Sequence, residues 1–219
     1  MSDVMKVKQA RHVAVWDPVV RYGHWLLVAA FAVAYLSSEG GSRGPDPLHV
    51  WAGYLVGALV VARLVWGLIG PRRARFTDFV CGPVTAIRYL ADLLRGRARR
   101  YLGHSPAGGV MVVLLLLSLA ATVVTGLMAY GEQGKGPLAD SGGAVVAAAY
   151  ADADEGRRRG TENRRNGGED SVLGELHSTL GNITLALVIL HLLGVGLASL
   201  MHRENLVLAM IDGRKRADG

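Results

Sequence analysis

The sequence predicts an all-α fold: a transmembrane four-helix bundle with a short interfacial helix between spans two and three. The first observation is composition, since 51% of the 219 residues are hydrophobic. The second is the presence of four apolar runs with the roughly 20 residues that a helix needs to cross the hydrocarbon core of a bilayer. The third is length, because so short a chain cannot bury four such helices inside a soluble protein, which is the alternative interpretation of each run.

The spans are placed from their apolar stretches and from the breakers between them. Gly70-Pro71 is a stop signal after span two, and Trp16 and Trp25 suit a membrane interface at the start of span one. The four predicted spans are about Val19–Leu36, Leu48–Ile69, Gly108–Tyr130 and Leu176–Met201.

Two further segments lie outside the four predicted spans. Over Phe76–Leu94 apolar residues recur every three or four positions, which predicts a short helix lying on the inner membrane surface. Met1–Asp17 is polar and charged, and the first apolar run lies too far into the chain and is too long for a signal peptide.

Lys and Arg residues are divided unequally between the two sides of the predicted bundle. Sixteen lie on the side that carries both termini and seven on the opposite side. Because cytoplasmic loops are enriched in Lys and Arg, both termini are predicted to be cytoplasmic. The predicted organisation is a cytoplasmic N-terminal segment 1–17, a four-helix membrane domain 18–203 that includes a long outer loop 131–174, and a cytoplasmic tail 204–219.

The long outer loop is rich in Gly, Arg, Asp and Glu. Asp152–Asp170 has almost no apolar content, which is typical of a mobile segment that cannot pack. Ala144–Ala151 is small and apolar, and it allows one or two helical turns.

Charge and cysteine content exclude several function classes. The net charge of +6 follows from the inner Lys and Arg excess, and no basic stretch is interleaved with stacking aromatics, so a nucleic-acid partner is not expected. The single cysteine, Cys81, excludes a disulfide framework, an iron–sulfur cluster and a C-x-x-C-H haem attachment within this chain. We interpret Cys81 as a small apolar filler.

Histidines are the most informative residues of the spans. His177 and His191 are fourteen positions apart on span four, which at about 100° per residue places both imidazoles on one face of the helix, roughly 21 Å apart along its axis. Counted from the span ends, His24 and His191 both lie about 8 Å from the inner surface. His49 and His177 both lie within two residues of the outer start of their spans. The four rings therefore sort by depth into an inner and an outer pair.

Two imidazoles at one level are too few for a closed zinc site, which needs four ligands, but they complete the two axial positions of a haem iron. Gly53 and Gly181 each lie four residues after a histidine, so they remove side-chain bulk where a flat macrocycle would press. The alternative for each histidine is a structural role, in which it makes an interhelical hydrogen bond. The pairing of all four by depth favours two haems.

Arg63 lies fourteen residues after His49, at the level of the predicted inner haem. A charge inside a span needs a partner, and haem propionates are natural anions for it. Arg21, at the inner mouth of span one, is a second propionate candidate. The alternative for Arg63 is that its guanidinium extends to the inner interface.

Six segments carry a family resemblance: VWDPVVRYGHW, LHVWAGY, ARLVWGLIGPRRARFTDFV, RYLGHSPAGG, ELHSTLGN and HRENLVLAMIDGRKR. Together they resemble the prokaryotic cytochrome b561 family, in particular its nickel–iron hydrogenase b-type cytochrome subunits. The resemblance covers nearly the whole chain. It implies a four-helix membrane bundle with two non-covalent haems b, ligated by His24, His49, His177 and His191. It also implies a respiratory-chain role at the prokaryotic inner membrane, with electrons passing between a redox partner and the quinone pool.

The long Arg-rich outer loop departs from the compact pattern of the family, so it leaves the external partner undetermined. A hydrogenase-like subunit and a cytochrome c are the candidate redox partners, beside membrane lipid and quinone, and an oligomer is left open. One alternative function is a standalone oxidoreductase of the superoxide:quinone type, in which the loop steers an anion. The other is a membrane anchor or transporter without haem.

A quinone site is predicted at the inner surface beside the inner haem. A quinone gains charge on its two carbonyl oxygens when it is reduced, so it needs hydrogen-bond donors and access to protons. His202 lies eleven residues after His191, about 20° from the same helical face and roughly 16 Å further along. The alternative for His202 and Arg203 is an ordinary basic interface cluster. The candidate residues are His202, Arg203, Asn205, His104 and Ser105.

Overall fold

A computed structural model describes residues 12–38, 45–139 and 171–216. Over these ranges the chain forms seven α-helices, a 3-10 turn at Arg72–Ala74 and two short strands. Four of the helices are long and apolar enough to cross a membrane, which confirms the predicted all-α class with four spans. The helices are α1 Pro18–Leu36, α2 Pro47–Ile69, α3 Phe76–Phe79, α4 Pro83–Leu94, α5 Pro106–Glu132, α6 Val172–Met201 and α7 Leu206–Asp212, and the strands are β1 His12–Ala14 and β2 Arg214–Arg216.

The four long helices begin at polar caps, three of which are followed by proline. Asp and Ser side chains accept hydrogen bonds from amides that the first turn leaves without an intrahelical partner, and proline at the first position has no amide to satisfy. These caps place the helix starts slightly before the apolar runs. The bonds are Val20 N to Asp17 Oδ1 (3.1 Å), Leu48 N to Asp46 Oδ1 (2.7 Å), Gly108 N to Ser105 Oγ (3.2 Å) and Gly174 N to Ser171 Oγ (3.0 Å).

Large apolar side chains on the spans are widely exposed. Leu36 is 82% exposed, Trp51 72% and Leu193 66%. Exposing apolar area to water is unfavourable by about 25 cal/mol per Å², so such surfaces suit contact with lipid. This agrees with the assignment of the chain to a membrane.

The predicted surface helix is present, but it is divided. Where one helix was expected over Phe76–Leu94, α3 ends at Phe79 and α4 starts at Pro83. The break follows from Gly82-Pro83, because proline disfavours the helical region for the residue before it. In α4, Ala86, Tyr89 and Leu93 are buried while Val84, Ile87, Leu90 and Leu94 are exposed, so the helix keeps an apolar face suited to a membrane surface.

The chain packs as two compact units, and each long helix contributes residues to both. The first unit comprises Met1–Trp25, Arg63–Val113 and Leu190–Gly219, and the second comprises Leu26–Ala62 and Leu114–Ile189.

In the first unit the two ends of the chain pair with each other. β1 and β2 are antiparallel, with Val13 opposite Lys215, and the amide of Val15 donates to the Gly213 carbonyl at 2.8 Å. No pattern in the sequence predicts that β1 and β2 pair. Their pairing places both ends on one side of any membrane the four spans cross.

A buried ion pair fastens the same unit. Arg100 donates to both carboxylate oxygens of Glu204, at 2.8 and 3.2 Å, and to the Arg216 carbonyl at 2.6 Å. The two side chains are 14% and 7% exposed. Such bidentate geometry ties the loop before α5 to the turn after α6 and to β2.

In the second unit hydroxyl groups join α5 to α6. Thr184 is fully buried, and its Oγ1 lies 2.7 Å from Ser118 Oγ and 3.2 Å from Thr122 Oγ1. Polar contacts of this kind associate helices in a membrane, where lipid offers no competing partners.

Two earlier expectations lie outside the described residues. These are the helical turns over Ala144–Ala151 and the mobility of Asp152–Asp170.

Candidate functional site

His49 and His177 lie together in the second unit. Their ring centroids are 5.8 Å apart and their planes are nearly perpendicular, at 89°. His49 is the third residue of α2, and His177 lies in the second turn of α6. The structure therefore brings together the two residues predicted to form the outer pair.

Each ring of this pair is anchored through Nδ1. His49 Nδ1 lies 2.7 Å from the carbonyl oxygen of Ala34, in the last turn of α1, and His177 Nδ1 lies 2.9 Å from the carbonyl oxygen of Thr122 on α5. A carbonyl only accepts hydrogen bonds, so both Nδ1 atoms carry the proton. Nε2 of each ring is then the atom with a free lone pair, which is the form that binds metals.

His24 and His191 lie together in the first unit. Their ring centroids are 6.4 Å apart with an interplanar angle of 64°, and Trp25 packs edge-on against His24 at 5.5 Å. Within the described ranges neither ring makes a hydrogen bond. This pair is therefore close in space but, unlike the other, its tautomers are not set by the backbone.

Both separations suit two axial ligands of one iron. A metal–nitrogen bond of about 2.0–2.1 Å, plus about 1.2 Å from that nitrogen to the ring centre, puts two opposed rings about 6.4 Å apart. The observed values are 6.4 and 5.8 Å. Among the residues that the structure describes, no three His, Cys, Asp or Glu side chains are grouped to hold a metal ion. The donor set thus fits a bis-histidine haem better than a closed zinc site.

The glycines next to these histidines leave open space. A Cβ built on Gly53 or Gly181 in the second unit would meet no atom within 4 Å, and the same holds for Gly23 and Gly194 in the first. A macrocycle needs such room beside its axial ligands.

The two propionate candidates, Arg63 and Arg21, both belong to the first unit, as do His24 and His191. The guanidinium of Arg63 lies over the ring of Phe76 at 5.1 Å and donates to the Ala74 carbonyl at 3.2 Å. Arg21 donates to the Ile211 carbonyl, and its buried Nε has no partner among the described residues. Arg21 thus keeps a donor for an anion.

Three of the quinone candidates also have structural roles. Ser105 and Asn205 cap α5 and α7, with Asn205 Oδ1 accepting from the amide of Leu208 at 2.8 Å. Arg203 has a left-handed backbone with a φ of 48°, and its carbonyl accepts from Arg216 at 3.0 Å.

Tyr89 of α4 is a polar group that the sequence reasoning missed. Its hydroxyl lies 3.4 Å from Nε2 of His202 and interacts with the side chain of Ser105. Burial raises the pKa of Tyr89, so it stays a neutral donor at physiological pH. The signal available in the sequence was a tyrosine on the surface helix, next to Arg88 and about one turn before Asp92. Tyr89 brings two of the quinone candidates into one cluster.

His104 is enclosed by aromatic rings. Phe79 packs at 4.1 Å and Trp16 at 4.6 Å between ring centroids, and the buried Nδ1 has no partner within the described ranges. Burial, reinforced by the charges of Arg63 and Lys215, lowers the pKa of His104 to about 3. His104 is therefore neutral at physiological pH.

Comparison with known proteins identifies the family of the chain. A family model described as prokaryotic cytochrome b561 matches residues 15–213, which include all four paired histidines. Neither a curated protein nor a solved structure matches the chain. With four apolar spans and a match over nearly its full length, the chain belongs to the prokaryotic cytochrome b561 family and is a b-type cytochrome of a prokaryotic membrane.

Proposed function

We propose that the chain binds two haems b, one between His24 and His191 and one between His49 and His177, and passes electrons between a redox protein partner and the quinone pool. The observation that supports this most is the presence of two imidazole pairs, at 6.4 and 5.8 Å, in a chain of this family. Haem iron, when bound, supplies the one-electron chemistry.

The protein's own groups provide ligation, orientation and charge compensation. Nε2 of His49 and Nε2 of His177 would be the ligand atoms of one haem, because the carbonyls of Ala34 and Thr122 hold these two rings through Nδ1. His24 and His191 would supply the ligand nitrogens of the other haem. Arg63 and Arg21 are the proposed partners of propionates in the first unit. The apolar spans around the pairs would limit the access of water to a haem held there.

The quinone is proposed to bind in the first unit, near His202, Tyr89 and Ser105. Complete reduction of a quinone takes two electrons and two protons, so its carbonyl oxygens need donors that water can reprotonate. His202 is half-buried, and its contact with Tyr89 supplies two polar groups within 3.4 Å of each other. Arg203, Asn205 and His104 remain candidates around this cluster.

Both termini are proposed to face the cytoplasm. Sixteen Lys and Arg residues against seven favour this orientation, and the β1–β2 pairing supports a common side for the two ends. The partner, a hydrogenase-like subunit or a cytochrome c, would then dock on the opposite side.

Family membership favours this function over a haem-free anchor or transporter. The superoxide:quinone alternative depends on the Arg-rich segment around Arg157–Arg165. That segment lies outside the described residues, so no structural observation favours the alternative.

The test is haem stoichiometry in single His→Ala variants at the four positions. We expect about two haems per chain in the native protein and about one in each variant, with variants of one pair losing the same spectral component. Ser178→Ala, next to His177 but exposed, is the matched control and should keep both. Two haems with unaltered spectra in all four variants would refute the ligand assignment.

A further inference from the structure

The two histidines of the second unit share an arrangement that the ligand assignment does not require. Each donates Nδ1–H to a helical carbonyl that is also approached by a hydroxyl three residues further along the same helix. Ser37 Oγ lies 3.4 Å from the Ala34 oxygen, although its shorter bond, at 2.6 Å, goes to Val33. Thr125 Oγ1 lies 3.0 Å from the Thr122 oxygen and 2.9 Å from that of Ala121. The hydroxyl is therefore a closer competitor at His177 than at His49.

The ring of His177 also lies directly against the backbone of α5. A Cβ added to Gly126 would come within 2.8 Å of Cε1 and 2.9 Å of Nδ1 of His177. Neither ring atom can give way freely, since Nδ1 is held 2.9 Å from the Thr122 oxygen. The absence of a side chain at position 126 is what allows the ring to reach that carbonyl.

We propose that Thr125 and Gly126 are positioning residues that set the strength of the His177 Nδ1–H bond and thereby the reduction potential of the haem held by His49 and His177. The inference depends on the proposed function, because it requires that haem to be present. It assigns to α5, which carries no predicted ligand, control over the chemistry of the outer pair.

The physical reason is competition for one oxygen. A carbonyl oxygen has two lone pairs, and the Thr122 oxygen faces three donors: the helical amide four residues on, the ring of His177 and the hydroxyl of Thr125. Removing the hydroxyl strengthens the ring's bond. A ring that shares its Nδ1 proton more fully is a more basic ligand through Nε2, so it stabilises the ferric form and lowers the potential.

The decisive pair of variants is Thr125→Val and Thr125→Ser. Valine keeps the shape of this buried side chain without its hydroxyl, whereas serine keeps the hydroxyl. In an optical potentiometric titration, Thr125→Val should raise the ferric-to-ferrous ratio of one haem about threefold at a fixed potential. For a one-electron couple this corresponds to a reduction potential that is about 30 mV lower. Thr125→Ser should titrate as the native protein does, and the haem of His24 and His191 should be unchanged.

Gly126→Ala gives a shift of opposite sign. Its methyl group displaces the ring, weakens the bond to Thr122 and raises the potential of the same haem. Val124→Thr is the matched control, because it adds a hydroxyl to a side chain of the same helix that is 53% exposed.

Each outcome supports or overturns the positioning role of Thr125 and Gly126. The positioning role would be overturned by equal shifts in Thr125→Val and Thr125→Ser, or by no shift in Thr125→Val. It would also be overturned if Gly126→Ala shifted the potential in the same direction as Thr125→Val. None of these results would change the haem assignment. A native protein without a haem on His49 and His177 would overturn both. If Gly126→Ala does not retain haem, the two Thr125 variants still give the answer.

Discussion

The ion pair between Arg100 and Glu204 is predicted to be a main stabilising contact of the first unit. Arg100→Met removes three hydrogen bonds, two to the carboxylate and one to the Arg216 carbonyl, and leaves a carboxylate that is only 7% exposed without its partner. Removing one member of a buried ion pair typically costs about 3 kcal/mol. For a chain of about 200 residues this corresponds to a Tm lower by about 6–12 °C.

The chain provides its own probe for this measurement. Cys81 is the single cysteine, it is partly buried, and it belongs to the first unit, with Sγ 3.6 Å from the Pro106 carbonyl. Its reaction with a thiol-specific fluorescent dye during heating in detergent reports the opening of that unit. The matched controls are Arg97→Met and Arg99→Met, which remove exposed arginines of the same loop and should leave Tm within about 1 °C.

A double-mutant cycle separates the pair from other effects of the substitutions. Glu204→Gln should also lower Tm, and Arg100→Met/Glu204→Gln should be less destabilised than the sum of the two, with a coupling of about 1–3 kcal/mol. Additive single effects, or an Arg100→Met protein that melts with the native one, would refute the reasoning.

The pair also predicts a pH dependence. Burial raises the pKa of Glu204, but the hydrogen bonds and charge of Arg100, aided by the charge of Lys215, outweigh it and hold that pKa below its ordinary value. A depressed carboxyl pKa adds stability that is present above the unfolded value of about 4.3 and is lost as pH falls through the folded value. The Tm difference between native protein and Glu204→Gln should therefore shrink below about pH 4.

Three further predictions concern topology, the outer loop and quinone. A cysteine placed at Gly160 in a Cys81→Ser background should react with an impermeant reagent in whole cells, while one at the C-terminus should not; the reverse pattern would invert the orientation. Shortening Asp152–Asp170 should leave haem content unchanged, since loop-closure entropy varies slowly with length, and loss of haem would show that the segment is structural. In proteins that keep both haems, His202→Ala should slow haem reoxidation by a quinone analogue more than Arg203→Ala or His104→Ala, and native rates in all three would place the site elsewhere.

Hydropathy and helical spacing were sufficient to predict the spans and to pair the histidines. The cap residues were visible as Asp17-Pro18, Asp46-Pro47 and Ser105-Pro106, yet the predicted starts followed the apolar runs and fell one or two residues late. The start of α6 was missed by four residues, because Glu175 and His177 lower the hydropathy of its first turns. Span ends are therefore better read from caps than from apolar content alone.

Other features depend on contacts that no local pattern encodes. β1 and β2 are three residues each and pair across nearly the whole chain, so neither has a recognisable periodicity. Tyr89 and His202 are 113 residues apart, and each has an ordinary interpretation when it is considered alone. The Nδ1 acceptors of His49 and His177 are backbone carbonyls, which every residue possesses, so sequence cannot select Ala34 and Thr122.

The surroundings of the two histidine pairs differ in a way that bears on the proposed division of function. The rings of His49 and His177 are held by neutral backbone carbonyls, which can orient a ligand but supply neither charge nor protons. The first unit, with His24 and His191, holds the guanidinium Nε of Arg21, which has no partner among the described residues, and the contact between Tyr89 and His202. Quinone reduction needs proton donors, and the contact between Tyr89 and His202 supplies two such groups in the first unit. Proton-coupled chemistry is therefore expected beside His24 and His191. At the haem proposed between His49 and His177, we expect electron transfer without proton transfer.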